Sequence, residues 1–219
     1  MLGVEHLSEV YLASDPSFAG RVTVPCLVDT LTGQVVTNDY PQITLDLSTE
    51  WVEHHRAGAP DLWPEAEREA MQPLIDAVYA DVNNGVYRCG FATEQDAYEQ
   101  AYDRLFSRLD ELERRLGASR FLMGDEPREV DVRLFTTLVR FDAAYHGHFK
   151  CNRSKLTELP NLWRYARELY ARPGWGDTVD LDHIKRHYYG THAQINPTGI
   201  VPKGPDPSGW PPAAPAATG

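Results

Sequence analysis

The 219-residue sequence predicts a small α+β segment followed by an all-α bundle. Three observations carry that expectation. Residues 21–37 hold two β-favouring runs around a turn. Residues 64–190 place apolar side chains at helical spacing between helix breakers. The character changes across 49–63, which reads as a linker.

Residues 4–12 read as a short helix, ended by Asp15-Pro16, because the residue before a proline is steered away from the α region. Arg21 to Val28 reads as a strand, with Val22, Val24 and Leu27 in a run interrupted by Pro25. Asp29-Thr30-Leu31-Thr32-Gly33 is a turn, and Gln34-Val35-Val36-Thr37 is the returning strand. Asn38-Asp39 starts a helix that runs over Pro41 to about Leu47, a proline being tolerated in the first turn. Two strands alone do not make a stable sheet in water.

Pro64 opens a helix through about Val82, which Asn83-Asn84-Gly85 closes. Thr93 and Asp96 resemble a capping box. The helix they begin carries Ala101, Leu105, Leu109, Leu112 and Leu116 inward, and Gly117 stops it. The next helix runs from Glu129 to about Tyr145 with Val132, Phe135, Leu138 and Val139 toward the core. Another follows Pro160 with Leu162, Tyr165, Leu169 and Tyr170, and Asp180 to Tyr189 forms a short last helix. The tail, 205–219, is rich in Pro, Ala and Gly and reads as mobile.

Hydrophobic residues make up 42% and charged residues 24%, enough for a real core. The net charge of −11 repels phosphate backbones and anionic bilayers, which argues against nucleic-acid and membrane partners. No apolar run reaches the length of a membrane span. The start, Met1-Leu2-Gly3-Val4-Glu5-His6, lacks the basic flank and apolar core of a secretory signal. Cys26, Cys89 and Cys151 are odd in number and widely spaced, which suits a reducing, cytoplasmic setting rather than a disulfide framework.

Chemistry concentrates late in the chain. Tyr145-His146-Gly147-His148-Phe149-Lys150-Cys151-Asn152 is followed by His183-Ile184-Lys185-Arg186-His187-Tyr188-Tyr189-Gly190 and Asn196-Pro197-Thr198-Gly199. Dense aromatic, polar and glycine residues without a clear period suit an aromatic-lined site with a few fixed polar groups. His183 and His187, four apart, share a helix face, but no acidic or cysteine set completes a zinc site. The histidines therefore read as hydrogen-bonded structure, with no metal expected. The acidic run Glu94 to Asp110 reads as a solvated helix face.

Those two late blocks, together with Arg21-Val22-Thr23-Val24-Pro25, Asn83-Asn84-Gly85-Val86-Tyr87, Gly90-Phe91-Ala92 and the run from Asp131 to Asp142, resemble the xi class of glutathione transferases, the glutathionyl-hydroquinone reductases. The resemblance runs from roughly Gly3 to Pro205. It implies an incomplete thioredoxin-like domain over 1–50, made of a β-hairpin and a helix. A glutathione transferase C-terminal helical domain over 64–204 and a flexible tail over 205–219 follow. The family's preceding segment, with a nucleophilic cysteine in a Cys-Pro motif, has no counterpart in these residues, so no catalytic residue is assigned here.

The resemblance implies glutathione as co-substrate, bound by Val24, Pro25, Asp39 and Tyr40. Asp39-Tyr40 stands where the family places a Glu-Ser pair that grips the γ-glutamyl end. Tyr87, Tyr188 and Tyr189 are implied contacts for an aromatic quinol conjugate. Only one of two adjacent helical tyrosines is expected to face the pocket. Arg128 stands at the family's helix-capping Thr position, which leaves Asp131 of that local box. Cys26 follows Pro25, so strand alternation turns it to the opposite face as a small core residue. Cys89 lies near Tyr87 and is expected to border the pocket, and Cys151 reads as buried structure. A homodimer through the helical domain is implied. The alternative is a truncated, non-catalytic helical protein that binds aromatic ligands or pairs with full-length subunits.

Overall fold

A hairpin and two helices make up the first part of the chain, and a helical bundle makes up the rest. The computed structural model describes residues 3–212. The chain divides into two compact units at the Trp63–Pro64 junction.

In the first unit α1 spans Leu7–Ser14. Glu9 folds back so that its Oε1 accepts from the backbone N–H groups of Glu5 and His6, at 3.1 and 2.6 Å. This meets donors that a helix start leaves open. The helix buries Val10 and Tyr11, and the Tyr11 hydroxyl donates to the Thr23 carbonyl at 2.9 Å. Strands β1 (Leu27–Val28) and β2 (Val35–Thr37) pair antiparallel, Leu27 opposite Thr37 and Val28 opposite Val35, with an irregularity between. Asp29 caps the turn by accepting from Leu31 N–H at 2.8 Å, and Gly33 takes the left-handed conformation at φ 71°. The Val35 N–H donates to Ser14 Oγ at 2.7 Å, which ties β2 to α1.

The strand expected over residues 21–28 is thus shortened to its last two residues. Val24–Pro25 is a cis peptide, and a proline has no N–H to give a ladder. Helix α2, Tyr40–Thr49, begins at Asp39, whose carboxylate accepts from Gln42 N–H at 3.2 Å.

In the second unit a 3₁₀ turn at Glu65–Glu67 leads into α3, Arg68–Val78. The expected stop at Asn83-Asn84-Gly85 does not occur. The chain widens into a π-helical turn, Tyr79–Asn83, and continues as α4, Gly85–Gly90. Asn83 explains the difference: its Nδ2 donates to the Arg133 carbonyl at 2.8 Å and to Thr137 Oγ1 at 2.6 Å, so the residue anchors rather than terminates. Gly85 is buried, and a Cβ there would meet Leu105 Cβ at 3.8 Å, an ordinary contact, so packing alone does not require the glycine.

Helix α5, Gln95–Ala118, buries the five predicted positions and Phe106. Its N-cap is Glu94 without a side-chain cap bond, so the Thr93 box is not formed. Helix α6, Glu129–Arg140, runs through a second π turn, Phe141–Tyr145, into the single turn α7, His146–His148. Leu134 takes the inner position expected of Val132, which is only partly covered. Helices α8 (Pro160–Tyr170) and α9 (Leu181–Thr191) complete the unit. The tail read as mobile forms a 3₁₀ turn at Pro207–Gly209. Trp210 there packs on Trp163 and Tyr170, at ring centroid distances of 4.7 and 4.9 Å. An apolar indole gains by burial what the polar composition around it does not offer. Residues 213–219 of that tail lie outside the described residues.

Candidate active site

Helices α4, α7 and α9 and the π turn before α7 bring an aromatic cluster together. The Tyr87 and Tyr188 hydroxyl oxygens are 2.5 Å apart, and those of Tyr145 and Tyr188 are 2.8 Å apart. Phe149, fully buried, stands edge-on to Tyr87 at 5.3 Å and is stacked with Tyr145 at 5.5 Å. Phe91 closes one side, 5.2 Å from Phe149. Burial, then the neighbouring Tyr188 and Tyr87 phenols, hold Tyr145 well above the ordinary phenol range. Burial and the Tyr87 phenol likewise raise Tyr188. The inner hydroxyls therefore remain protonated donors at neutral pH.

Tyr189, one residue on, points elsewhere, as adjacent residues on a helix must. Its ring lies 4.6 Å from that of His148. Its hydroxyl crosses Gly147, where a Cβ would stand 3.0 Å away. His148 Nε2 is 3.1 Å from His192 Nδ1, a pair that joins α7 to the end of α9. His183 and His187 are exposed, and among the described residues no cluster of three His, Cys, Asp or Glu is placed to hold a metal.

Cys89 and Cys151 are buried and Cys26 is half-buried. The hydrogen bond shared with Cys89, and then burial, push the Cys151 thiol up, away from the thiolate form. Val24, beside the cis bond, is 79% exposed. No described helix is long and apolar enough to cross a membrane.

Comparison with known proteins places this geometry. Residues 95–168 match the glutathione S-transferase C-terminal domain. The chain is 45% identical to the glutathionyl-hydroquinone reductase PcpF of Sphingobium chlorophenolicum over 203 residues, 93% of this chain and 64% of PcpF. The glutathione-bound structure of YqjG from Escherichia coli K-12 superposes with a TM-score of 0.88 at 42% identity, over 92% of this chain and 65% of that one. Glutathione transferase Xi 1 from Trametes versicolor superposes with a TM-score of 0.91 at 42% identity, and the match covers 96% of this chain and 73% of that one.

The chain belongs to the Xi class of glutathione transferases. It spans less than two thirds of the length of PcpF. Its fold is a partial thioredoxin-like hairpin and helix plus the Xi-class helical domain. Of the tyrosines expected at the site, the Xi-class fold unites Tyr87 and Tyr188 and sets Tyr189 against His148. Sequence reasoning missed Tyr145 as a partner of Tyr188. Its place in the Tyr145–Asn152 block was the available signal.

The histidine pair yields a pH prediction. Burial, with His192 and Lys150 as further causes, lowers His148 to about 4 from 6.5. Both the folded and unfolded states carry it neutral above 6.5, so its contribution is fully present there. As pH falls from 6.5 toward 4 the unfolded state takes up a proton that the folded state refuses, and stability is lost. The expected loss is on the order of 2 kcal/mol. Chemical denaturation at pH 7 and pH 4.5 measures it, and His148→Gln should flatten that part of the pH profile.

Proposed function

We propose that this chain takes part in glutathione-dependent reduction of glutathionyl-hydroquinones, the activity for which PcpF is named. A glutathionyl-hydroquinone and one glutathione give the free hydroquinone and glutathione disulfide. The carbon–sulfur bond breaks, a sulfur–sulfur bond forms, and the ring carbon takes a proton. The two sulfurs are oxidised and the ring carbon is reduced.

The phenol cluster carries this reading. The partly exposed rings of Tyr87 and Phe91 offer an aromatic contact, and the Tyr87 hydroxyl, linked to that of Tyr188, lies at hand for a quinol oxygen. Tyr189 flanks them. In the first unit Val24, Pro25, Asp39 and Tyr40 are the proposed glutathione contacts. Val24 supports this by its exposure. The family resemblance assigns the attacking thiolate to a Cys-Pro motif rather than to Cys26, Cys89 or Cys151. The same reading takes 1–50 and 64–204 as the two domains of a cytoplasmic homodimer joined through the helical one.

Anaerobic calorimetric titration with glutathionyl-menadiol tests the site. Tyr87→Phe should weaken binding about tenfold, the worth of one hydrogen bond to a buried acceptor, and Tyr188→Phe, which removes the hydroxyl linked to Tyr87, about fivefold. No saturable binding by the unsubstituted chain, or two variants that bind as it does, would overturn the proposal.

A further inference from the structure

Both hydrogen bonds among the three phenols run through Tyr188, at 2.5 Å to Tyr87 and 2.8 Å to Tyr145. A phenol carries one donor proton. Three protons share two bonds, so one is left over, and its position decides what a guest meets. Tyr145 is 2% exposed and Tyr188 5%, whereas Tyr87 is only partly covered. Were Tyr87 and Tyr145 both to donate to Tyr188, the spare proton would sit on the buried Tyr188; were the bonds directed inward from Tyr87, it would sit on Tyr145. Its surroundings there are the rings of Tyr87, Phe149 and Tyr188. A buried donor without an acceptor bears its full desolvation penalty. Directed outward, the bonds leave the spare proton on Tyr87, at the accessible end.

We infer that Tyr145 is a positioning residue: it donates to Tyr188, Tyr188 donates to Tyr87, and the chain presents a single proton, that of Tyr87, to an oxygen on an aromatic guest. Tyr188 then acts through Tyr87. A hydroxyl that accepts a hydrogen bond is itself a stronger donor, because each bond polarises the next. The hydroxyl order would make the site select for a guest oxygen that is rich in electrons, such as a quinol oxygen gaining charge. This rests on the site being an aromatic one, as proposed above, and the test separates the two.

One arm uses the free protein. Tyrosine labelled with ¹³C in the ring identifies by NMR which hydroxyl protons are shielded from exchange with water. Those of Tyr145 and Tyr188 should be observed and that of Tyr87 should not. In Tyr145→Phe the Tyr188 proton should exchange faster. A protected Tyr87 proton, from the inward order or from a closed ring of three, overturns the inference.

The other arm compares pentafluorophenolate with hexafluorobenzene, the same ring without the anionic oxygen. Tyr145→Phe should lower the preference for the phenolate about fivefold. It should have no further effect in a Tyr87→Phe background. Tyr188→Phe should do the same, which covers the case of a poorly folded Tyr145 variant. Equal loss of both ligands, or an effect that persists without the Tyr87 hydroxyl, overturns the inference. If neither ligand binds while the protected protons are as expected, the hydroxyl order stands and the proposed function fails.

Discussion

Replacing Asp131 by alanine is expected to destabilise the helical unit by about 3 kcal/mol or more, roughly 1 kcal/mol for each of three buried donors left without an acceptor. The carboxylate is fully buried at the start of α6. Its Oδ2 accepts from the Arg128 backbone N–H at 2.8 Å, and its Oδ1 accepts from Leu122 N–H at 3.0 Å and from the Tyr165 hydroxyl at 2.8 Å. One side chain thus joins the α5–α6 connection, the first turn of α6 and the middle of α8. Removing it leaves three donors with no acceptor, and a stranded buried donor is worth more as a loss than a made bond is as a gain. Urea unfolding followed by far-UV circular dichroism measures the change. The double variant Asp131→Ala/Tyr165→Phe should lose less than the sum of the singles, because one stranded donor disappears with its acceptor. Strict additivity would show that the Tyr165 link carries no energy.

Asp131 also marks how far the sequence could be read. The local box Arg128–Asp131 was implied by the family resemblance, and Asp131 does accept from Arg128. Its larger role was not visible, because Tyr165 lies 34 residues away and Leu122 lies in an irregular connection. Arg128, at the position of a lost cap, turns to Glu67 and forms a two-pronged pair with both contacts at 2.8 Å. No local rule connects residues 61 apart. Helix α5 shows the opposite case. Its inner positions repeat at three and four residues from Ala101 to Leu116, and such a stripe reports its own burial. The two π turns fell between these cases. Asn83-Asn84-Gly85 has the composition of a helix stop, and only the acceptors on α6 turn it into a continuation. The site was legible in the same partial way. Tyr87 and Tyr188 could be named, but the third phenol and the His148–His192 pair depend on contacts 43 and 44 residues apart in the chain.

Gly90→Ala is expected to break the aromatic cluster from behind. A Cβ at residue 90 would fall 2.2 Å from both Cγ and Cδ1 of Phe149. Those atoms belong to the rigid root of a ring with no exposed surface, so a rotamer change at a flexible tip cannot relieve the clash. Phe149 is hemmed in by Phe91 at 5.2 Å, Tyr87 at 5.3 Å, His148 at 5.3 Å and Tyr188 at 5.7 Å. Its displacement therefore shifts the rings that place the site hydroxyls. Overpacking of a close-packed core costs about 1–3 kcal/mol and more where nothing can yield; about 3 kcal/mol is expected here, above the small gain that alanine brings to a helix end. Thermal unfolding would measure the loss, and the near-UV circular dichroism of the tyrosines should weaken with it. Phe149→Leu in the same chain removes the obstructing ring, so Gly90→Ala/Phe149→Leu should be more stable than Gly90→Ala alone. A Gly90→Ala protein with unchanged unfolding and unchanged tyrosine signal would mean that α4 and α7 can separate without cost, and that the glycine does not set their approach.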